Sequence, residues 1–202
     1  MVRSRRDLRR GIEALAYQQA GYFSASQALA NGYSYQAQKY HADSGNWVRV
    51  DRGLFRLPQW PSEADDQYVL WTLWSDNRGV VSHDSALRHH RLSDIDPDRV
   101  HLSVPPGFGA RDPMVVTHVS ELPDSDIEPQ RGWRVTTPLR TLADISDSAL
   151  SQELVDAAVA EALARGLVTR RAVLRRSAMI ADRGALRLER ALAAALESHG
   201  DD

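Results

Sequence analysis

Seven histidines, a short run of acids and a scatter of arginines are the side chains of this 202-residue chain that could do chemistry. His83, Asp84, Ser85, His89, His90, His101 and His118 hold the ingredients of a hydrolase or a metal site, but not at the spacing either one needs. His89 and His90 are adjacent, and helical neighbours point about 100° apart, so the two do not share one ion easily. The chain has no His-x-x-x-His pair, no Gly-x-Ser-x-Gly turn and no phosphate-cradling glycine loop. Gly107 and Gly109 follow a proline pair and are too sparse for that last role. Asp94, Asp96 and Asp98 could supply a nuclease, yet Ser93-Asp-Ile-Asp-Pro97 reads more simply as an Asx-rich turn. Without cysteine there are no disulfides and no thiolate ligands. The expectation is a chain with no catalytic residues, no metal and no cofactor.

The arginines suggest something else. In Asn46-Trp-Val-Arg-Val-Asp-Arg-Gly-Leu-Phe-Arg-Leu57, apolar Val48, Val50, Leu54 and Leu57 are interleaved with Arg49, Asp51, Arg52 and Arg56. Asp51-Arg52-Gly53 breaks the pattern where a tight turn belongs, and Gly53 tolerates the positive φ such turns need. The run predicts a short β-hairpin edged with cations. Charge supports a polyanionic partner: residues 1–60 carry nine Lys/Arg against four Asp/Glu, a net +5, while the rest carries −7. Arg3, Arg5, Arg6, Arg9 and Arg10 add a basic N-terminal arm.

The elements ahead of the hairpin have to position it. Leu8, Ile12, Leu15 and Ala16 predict an amphipathic helix over 7–20, stopped before Gly21. Ser24 or Ser26 can cap a second helix over 25–30, ended by Asn31-Gly32. Ser34 is the expected cap of a third, running to about Ser44 and closed by Gly45. Two short helices joined by a Gly-containing turn and followed by a hairpin outline a winged helix-turn-helix. Its second helix would enter the major groove, with Ala37 and His41 facing inward and Tyr35, Gln36, Lys39 and Tyr40 outward. Gln reads adenine, Lys reads guanine or phosphate, and Tyr hydroxyls reach phosphate. The expected DNA-binding set is therefore Ser34, Tyr35, Gln36, Lys39, Tyr40, Arg49, Arg52, Arg56, Arg3, Arg5 and Arg6. With Lys39 as that helix's lone cation, most phosphate attraction falls to the wing and the arm.

Beyond residue 60 the pattern changes. Gln59-Trp-Pro-Ser62 has linker composition, which predicts domains at 1–60 and 61–202. Helices are expected over 65–75, with Asp65-Asp66 at its start, and over 82–90, with Ser82 as cap. Strands are expected over Val100–Val104, Met114–Val119 and Trp133–Thr137, followed by a helix opened by Pro138. Apolar periodicity with stops at Gly166 and a cap at Thr169 predicts a helical tail over 149–198. Arg170, Arg171, Arg175 and Arg176 on that tail read as a solvated face, a partner-binding rim or a phosphate site. The fold class is α+β: an N-terminal winged helix-turn-helix, then a mixed domain with a small sheet and a helical C-terminal tail. No apolar stretch is long enough to span a membrane and the N-terminus lacks a signal-peptide core, so a soluble cytoplasmic protein is expected.

Residues 7–165 resemble the AbiEi-type antitoxin family of type IV toxin–antitoxin systems. The resemblance rests on Gly21-Tyr-Phe-Ser-Ala-Ser-Gln-Ala-Leu29, Gly32-Tyr-Ser34 and Gly45-Asn-Trp-Val-Arg-Val-Asp-Arg-Gly-Leu-Phe-Arg-Leu57. It continues, in order, through Val81-Ser-His-Asp-Ser-Ala-Leu87, Val100-His-Leu-Ser-Val-Pro105 and Thr136-Thr-Pro-Leu-Arg-Thr-Leu-Ala-Asp144. It implies a transcriptional regulator that binds double-stranded DNA at its own operator and represses its own promoter. It further implies opposition to a nucleotidyltransferase-like toxin, functionally rather than through a stable complex. Two alternatives stay open: a nuclease-like or nucleotide-handling second domain, and a stand-alone regulator whose second domain dimerises or senses a ligand. Monomer and homodimer are both compatible with the Ala/Leu-rich tail.

Overall fold

The computed structural model describes residues 4–61 and 63–197, and the fold is mixed α+β. Contacts divide the chain into two compact units. The first contains α1 (Arg5–Gln18), β1 (Tyr22–Ser24), α2 (Ala25–Ala30), α3 (Tyr35–Asp43), β2 (Val48–Asp51), β3 (Leu54–Arg56) and α4 (Asp66–Trp74). It runs to Gly79 and also takes in Pro129–Trp133. The second contains β4 (Val80–Val81), α5 (His83–His89), β5 (Val100–Val104) and β6 (Val115–Val119). Also in it are α6 (Pro138–Ser146), α7 (Gln152–Ala164), α8 (Arg170–Ser177) and α9 (Asp182–Glu197), while β7 (Ile127–Gln130) and β8 (Trp133–Thr136) run across the division.

This division differs from the boundary expected after residue 60. Despite the linker composition after residue 57, α4 stays with the first unit. Arg56 Nη2 donates to Asp66 Oδ2 at 2.8 Å, and the Tyr68 ring lies 4.7 Å from Trp133 within the same unit. Gly132 makes the approach of 129–133 possible: its φ is +82°, and a Cβ there would sit 2.8 Å from the Gln18 carbonyl oxygen.

Local signals explain the first unit's helices. Ser4 and Asp7 form a reciprocal capping box on α1, Ser24 and Gln27 another on α2, and the Ser34 hydroxyl accepts from Ala37 N–H to start α3. The three strands order as β1-β3-β2, antiparallel throughout, with Phe23 opposite Phe55 and Arg49 opposite Phe55. Ile12, Ala16, Phe23, Ala28, Tyr33, Trp47, Phe55 and Leu57 make the core. Trp47 is its hub, with ring centroids 4.8 Å from Phe23, 4.9 Å from Tyr33 and 4.8 Å from a stacked His41. These contacts fix α3 relative to the hairpin.

One feature of the hairpin departs from the alternation. Leu54 and Leu57 are buried, but Val48 and Val50 are exposed along with Arg49. β2 is an edge strand with a register shift between Arg49 and Asp51, so both its faces reach solvent.

A five-stranded sheet orders as β6-β5-β4-β8-β7, with β5 and β6 parallel, β4 parallel to β8 and β4 antiparallel to β5, and β6, β5 and β4 belong to the second unit. Leu87, Leu142, Ile145, Val155, Val159, Leu188 and Leu192 lie in the helical core beside it. Thr137, Ser151 and Thr169 cap α6, α7 and α8. No helix of the described residues is long and apolar enough to cross a membrane.

Candidate functional site

On α3 the inner face is held by Gln38, which is 3% exposed and donates from Nε2 to the carbonyls of Ala25 and Tyr33, each at 3.0 Å. A buried amide must find acceptors, and these two tie α3 to the start of α2 and to the turn between them. Helical spacing places Ala37 and His41 inward but does not single out Gln38, whose burial the structure adds. Ala37 and His41 are half-buried, and burial lowers the His41 pKa. With that face anchored, Tyr35, Gln36, Lys39 and Tyr40 all point to water, the two tyrosines 67% and 66% exposed. Lys39 Nζ lies 2.6 Å from Asp43, an exposed pair along the helix. The Ser34 hydroxyl is engaged in the cap.

The hairpin arginines separate into two kinds. Arg52 is exposed in the Arg52–Gly53 turn, which the Asp51 carboxylate closes by accepting Arg52 N–H at 2.6 Å. Arg49 is exposed with its guanidinium 5.5 Å from the Phe55 ring centroid. Arg56, expected among the phosphate contacts, is instead withdrawn. Its side chain is 17% exposed, lies over the Tyr22 ring and donates to Asp66 and to the Pro61 carbonyl. The alternating pattern placed Arg56 on the same edge as Arg49. Asp66, ten residues on and buried, claims it.

The expected N-terminal arm is helical where it is described. Arg5 and Arg6 are exposed in the first turn of α1, and Arg9 pairs with Glu13 at 2.7 Å. Arg3 lies outside the described residues. The capping box at Ser4 starts the helix earlier than an expectation that began it at Asp7.

The second unit gathers histidines from three elements. His83 opens α5 with φ +49°, a left-handed backbone that costs an L-residue roughly 1–2 kcal/mol. Its ring stacks on His118 at 3.5 Å, and His118 Nε2 meets His101 Nδ1 at 3.2 Å. Asp84 Oδ2 lies 3.8 Å from His101 Nε2, and the Ser82 hydroxyl is 2.9 Å from His83 Nδ1. Stacked imidazoles hold their in-plane lone pairs in separate parallel planes, so His83 and His118 do not converge on one ion. No group of three potential ligands among the described residues is arranged to hold a metal. Burial drives the histidine pKa values down, His83 to about 2 and His101 and His118 to about 4, with neighbouring positive charge adding to the effect.

These imidazoles are therefore neutral when folded but titrate near 6.5 when unfolded. As pH falls below 6.5 the unfolded chain takes up protons that the folded one refuses, and stability drops. Each of the three sites removes about 1 kcal/mol between pH 7 and pH 5.5. His41 and His90, also lowered, act in the same direction. Asp144, raised to about 6 by burial despite Arg140, gains a proton on folding in this window and offsets about 1 kcal/mol. Urea unfolding at the two pH values is expected to give a net loss of about 2–3 kcal/mol. His118→Gln should flatten the dependence, and a profile level from pH 7 to 5.5 would contradict a neutral stack.

Beneath α6 and α8 lies a charged cluster of another kind. Arg140 donates to Asp144 at 2.7 Å, to Asp126 at 3.3 Å and to Ser120 at 3.0 Å, and Arg176 forks onto both oxygens of Asp126. Arg176 therefore leaves the basic set of the tail, and Arg170, Arg171 and Arg175 remain exposed.

No protein-family model matches the chain, and no curated protein matches it. Among solved structures it is similar to the RV2827C protein from Mycobacterium tuberculosis, with a TM-score of 0.46 and 17% identity over 95% of this chain and 82% of that one.

Proposed function

We propose that the first unit is a winged helix-turn-helix that binds duplex DNA, and that the chain is a transcriptional regulator of the antitoxin type. The observation that carries the reading is the exposed row Tyr35, Gln36, Lys39 and Tyr40 on α3, on a helix tied through Trp47 to a hairpin bearing Arg49 and Arg52. A helix anchored on its inner face and polar on its outer one suits the major groove, and an exposed cationic edge strand suits the backbone beside it. Arg5 and Arg6 add charge at the start of α1. The antitoxin part of the reading rests on the sequence resemblance: repression of its own promoter and functional opposition to a nucleotidyltransferase-like toxin. It gives the second unit no catalytic step.

A gel shift with the DNA upstream of its own gene tests the regulator reading. Retention is expected at least about a thousandfold more tightly than on an unrelated duplex of equal length. Equal affinity for both duplexes would remove operator recognition. Co-expression with a nucleotidyltransferase-like neighbouring gene tests the antitoxin part, with relief of growth arrest as the expected result.

A further inference from the structure

The part of the charge pattern that DNA recognition by the first unit leaves unused is on α8. Arg170, Arg171, Leu174, Arg175 and Ala178 line an open depression of about 630 Å³. They recur at helical spacing, so they share one face. All three arginines are exposed and no acid among the described residues lines the depression, in contrast to Arg176, which is neutralised by Asp126 on the helix's other side. Leu174, between them, is 44% exposed, and Met179 at the helix end is 76% exposed.

This arrangement works against the helix that bears it. Arg170 and Arg171 occupy the first turn of α8, where the helix dipole disfavours cations, and that turn holds no acid. Arg171 and Arg175 are like charges one turn apart. Both penalties disappear when anions meet the face.

We propose that this face of α8 docks an acidic amphipathic segment of a protein partner, with carboxylates on Arg170, Arg171 and Arg175 and an apolar side chain against Leu174 and Ala178. Guanidinium forks match carboxylates in two-point hydrogen bonds, which supplies the polar half. The apolar Leu174 and Ala178 favour a protein segment over nucleic acid, because an amphipathic peptide can lay an aliphatic side chain against them whereas a duplex backbone presents mainly phosphates and small sugar edges. The proposal is independent of the DNA-binding reading, since it uses other residues and another ligand.

The test titrates the full chain into a fluorescein-labelled peptide of Glu and Leu at i, i+4 spacing, read by fluorescence anisotropy, beside a 20-base-pair mixed-sequence duplex. Saturable peptide binding is expected. Arg170→Gln, Arg171→Gln and Arg175→Gln together weaken it about tenfold, at a few-fold per exposed pair, and leave duplex binding unchanged. Leu174→Ser weakens it about fivefold, as expected for one partly buried leucine, without altering its salt dependence. All four positions are exposed, and thermal melts confirm that the variants stay folded. Absence of peptide binding, equal binding of poly-glutamate, or indifference to Leu174→Ser would overturn the proposal. So would a triple variant that loses the duplex rather than the peptide.

Discussion

Arg56→Ala is expected to unfold the first unit long before it reports on DNA. The guanidinium donates to Asp66 at 2.8 Å, and the two side chains are 17% and 8% exposed. Asp66 also accepts Glu63 N–H at 3.0 Å and is only 6% exposed, so the carboxylate is largely desolvated once the arginine is gone. Removing one partner of a buried pair leaves an uncompensated charge and costs about 3–5 kcal/mol. For a unit of this size that is a fall in Tm of about 15 °C or more. Asp66→Asn should be damaging as well, whereas Arg56→Met with Asp66→Leu should recover most of the loss, because an apolar pair of similar volume carries no desolvation debt. If Arg56→Ala melts with the wild type and loses only DNA affinity, Arg56 is a free phosphate-binding cation and the ion pair is unimportant.

Arg49→Ala with Arg52→Ala should behave in the opposite way. Both side chains are exposed, and the substitutions remove only the weak contact of Arg49 with the Phe55 ring, worth about 0.5 kcal/mol at such a site. On the proposed DNA-binding reading, operator affinity should nevertheless fall by about one to two orders of magnitude near 0.1 M salt. The slope of log affinity against log salt should become shallower by about 1.8, at about 0.9 per phosphate contact. Measured side by side, the two variants separate recognition from stability, which a single triple variant including Arg56 would confuse. An unchanged salt slope in the double variant would remove the hairpin from the interface.

What the sequence disclosed and what it hid follow from the range of the interactions. Helices α2, α3 and α8 are legible because capping residues such as Ser24, Ser34 and Thr169 stand within three residues of the amides they satisfy, and α7 because its apolar residues recur at helical spacing up to Gly166. The β2–β3 hairpin is legible because Gly53 marks its turn, with φ +71°. Strands β1 and β4 have three and two residues, too few to show any alternation. Burial of Gln38 was hidden because its acceptors lie thirteen and five residues back. The histidine stack unites residues seventeen or more apart, and the ion pair of Arg56 depends on a residue beyond the proline that suggested a boundary. For the site, the outward residues of α3 could be read from helical spacing alone, but deciding which arginines are free needed the folded chain.

The segment from Pro129 to Trp133, where β7 turns into β8, has a consequence for the order in which the protein can be made. The first unit is not finished when Gly79 leaves the ribosome, because Trp133 packs against Tyr68 and Arg131 lies over Tyr17, donating to its carbonyl across a sequence separation of 114. Synthesis must run some fifty residues further before the missing piece exists. Loop closure over such distances adds little to the equilibrium cost but slows the search. During translation the helices and hairpin of the first unit therefore wait, incomplete, for a segment made much later. A fragment ending at Gly79 would be a permanent version of that waiting state, a nascent intermediate rather than an independent domain.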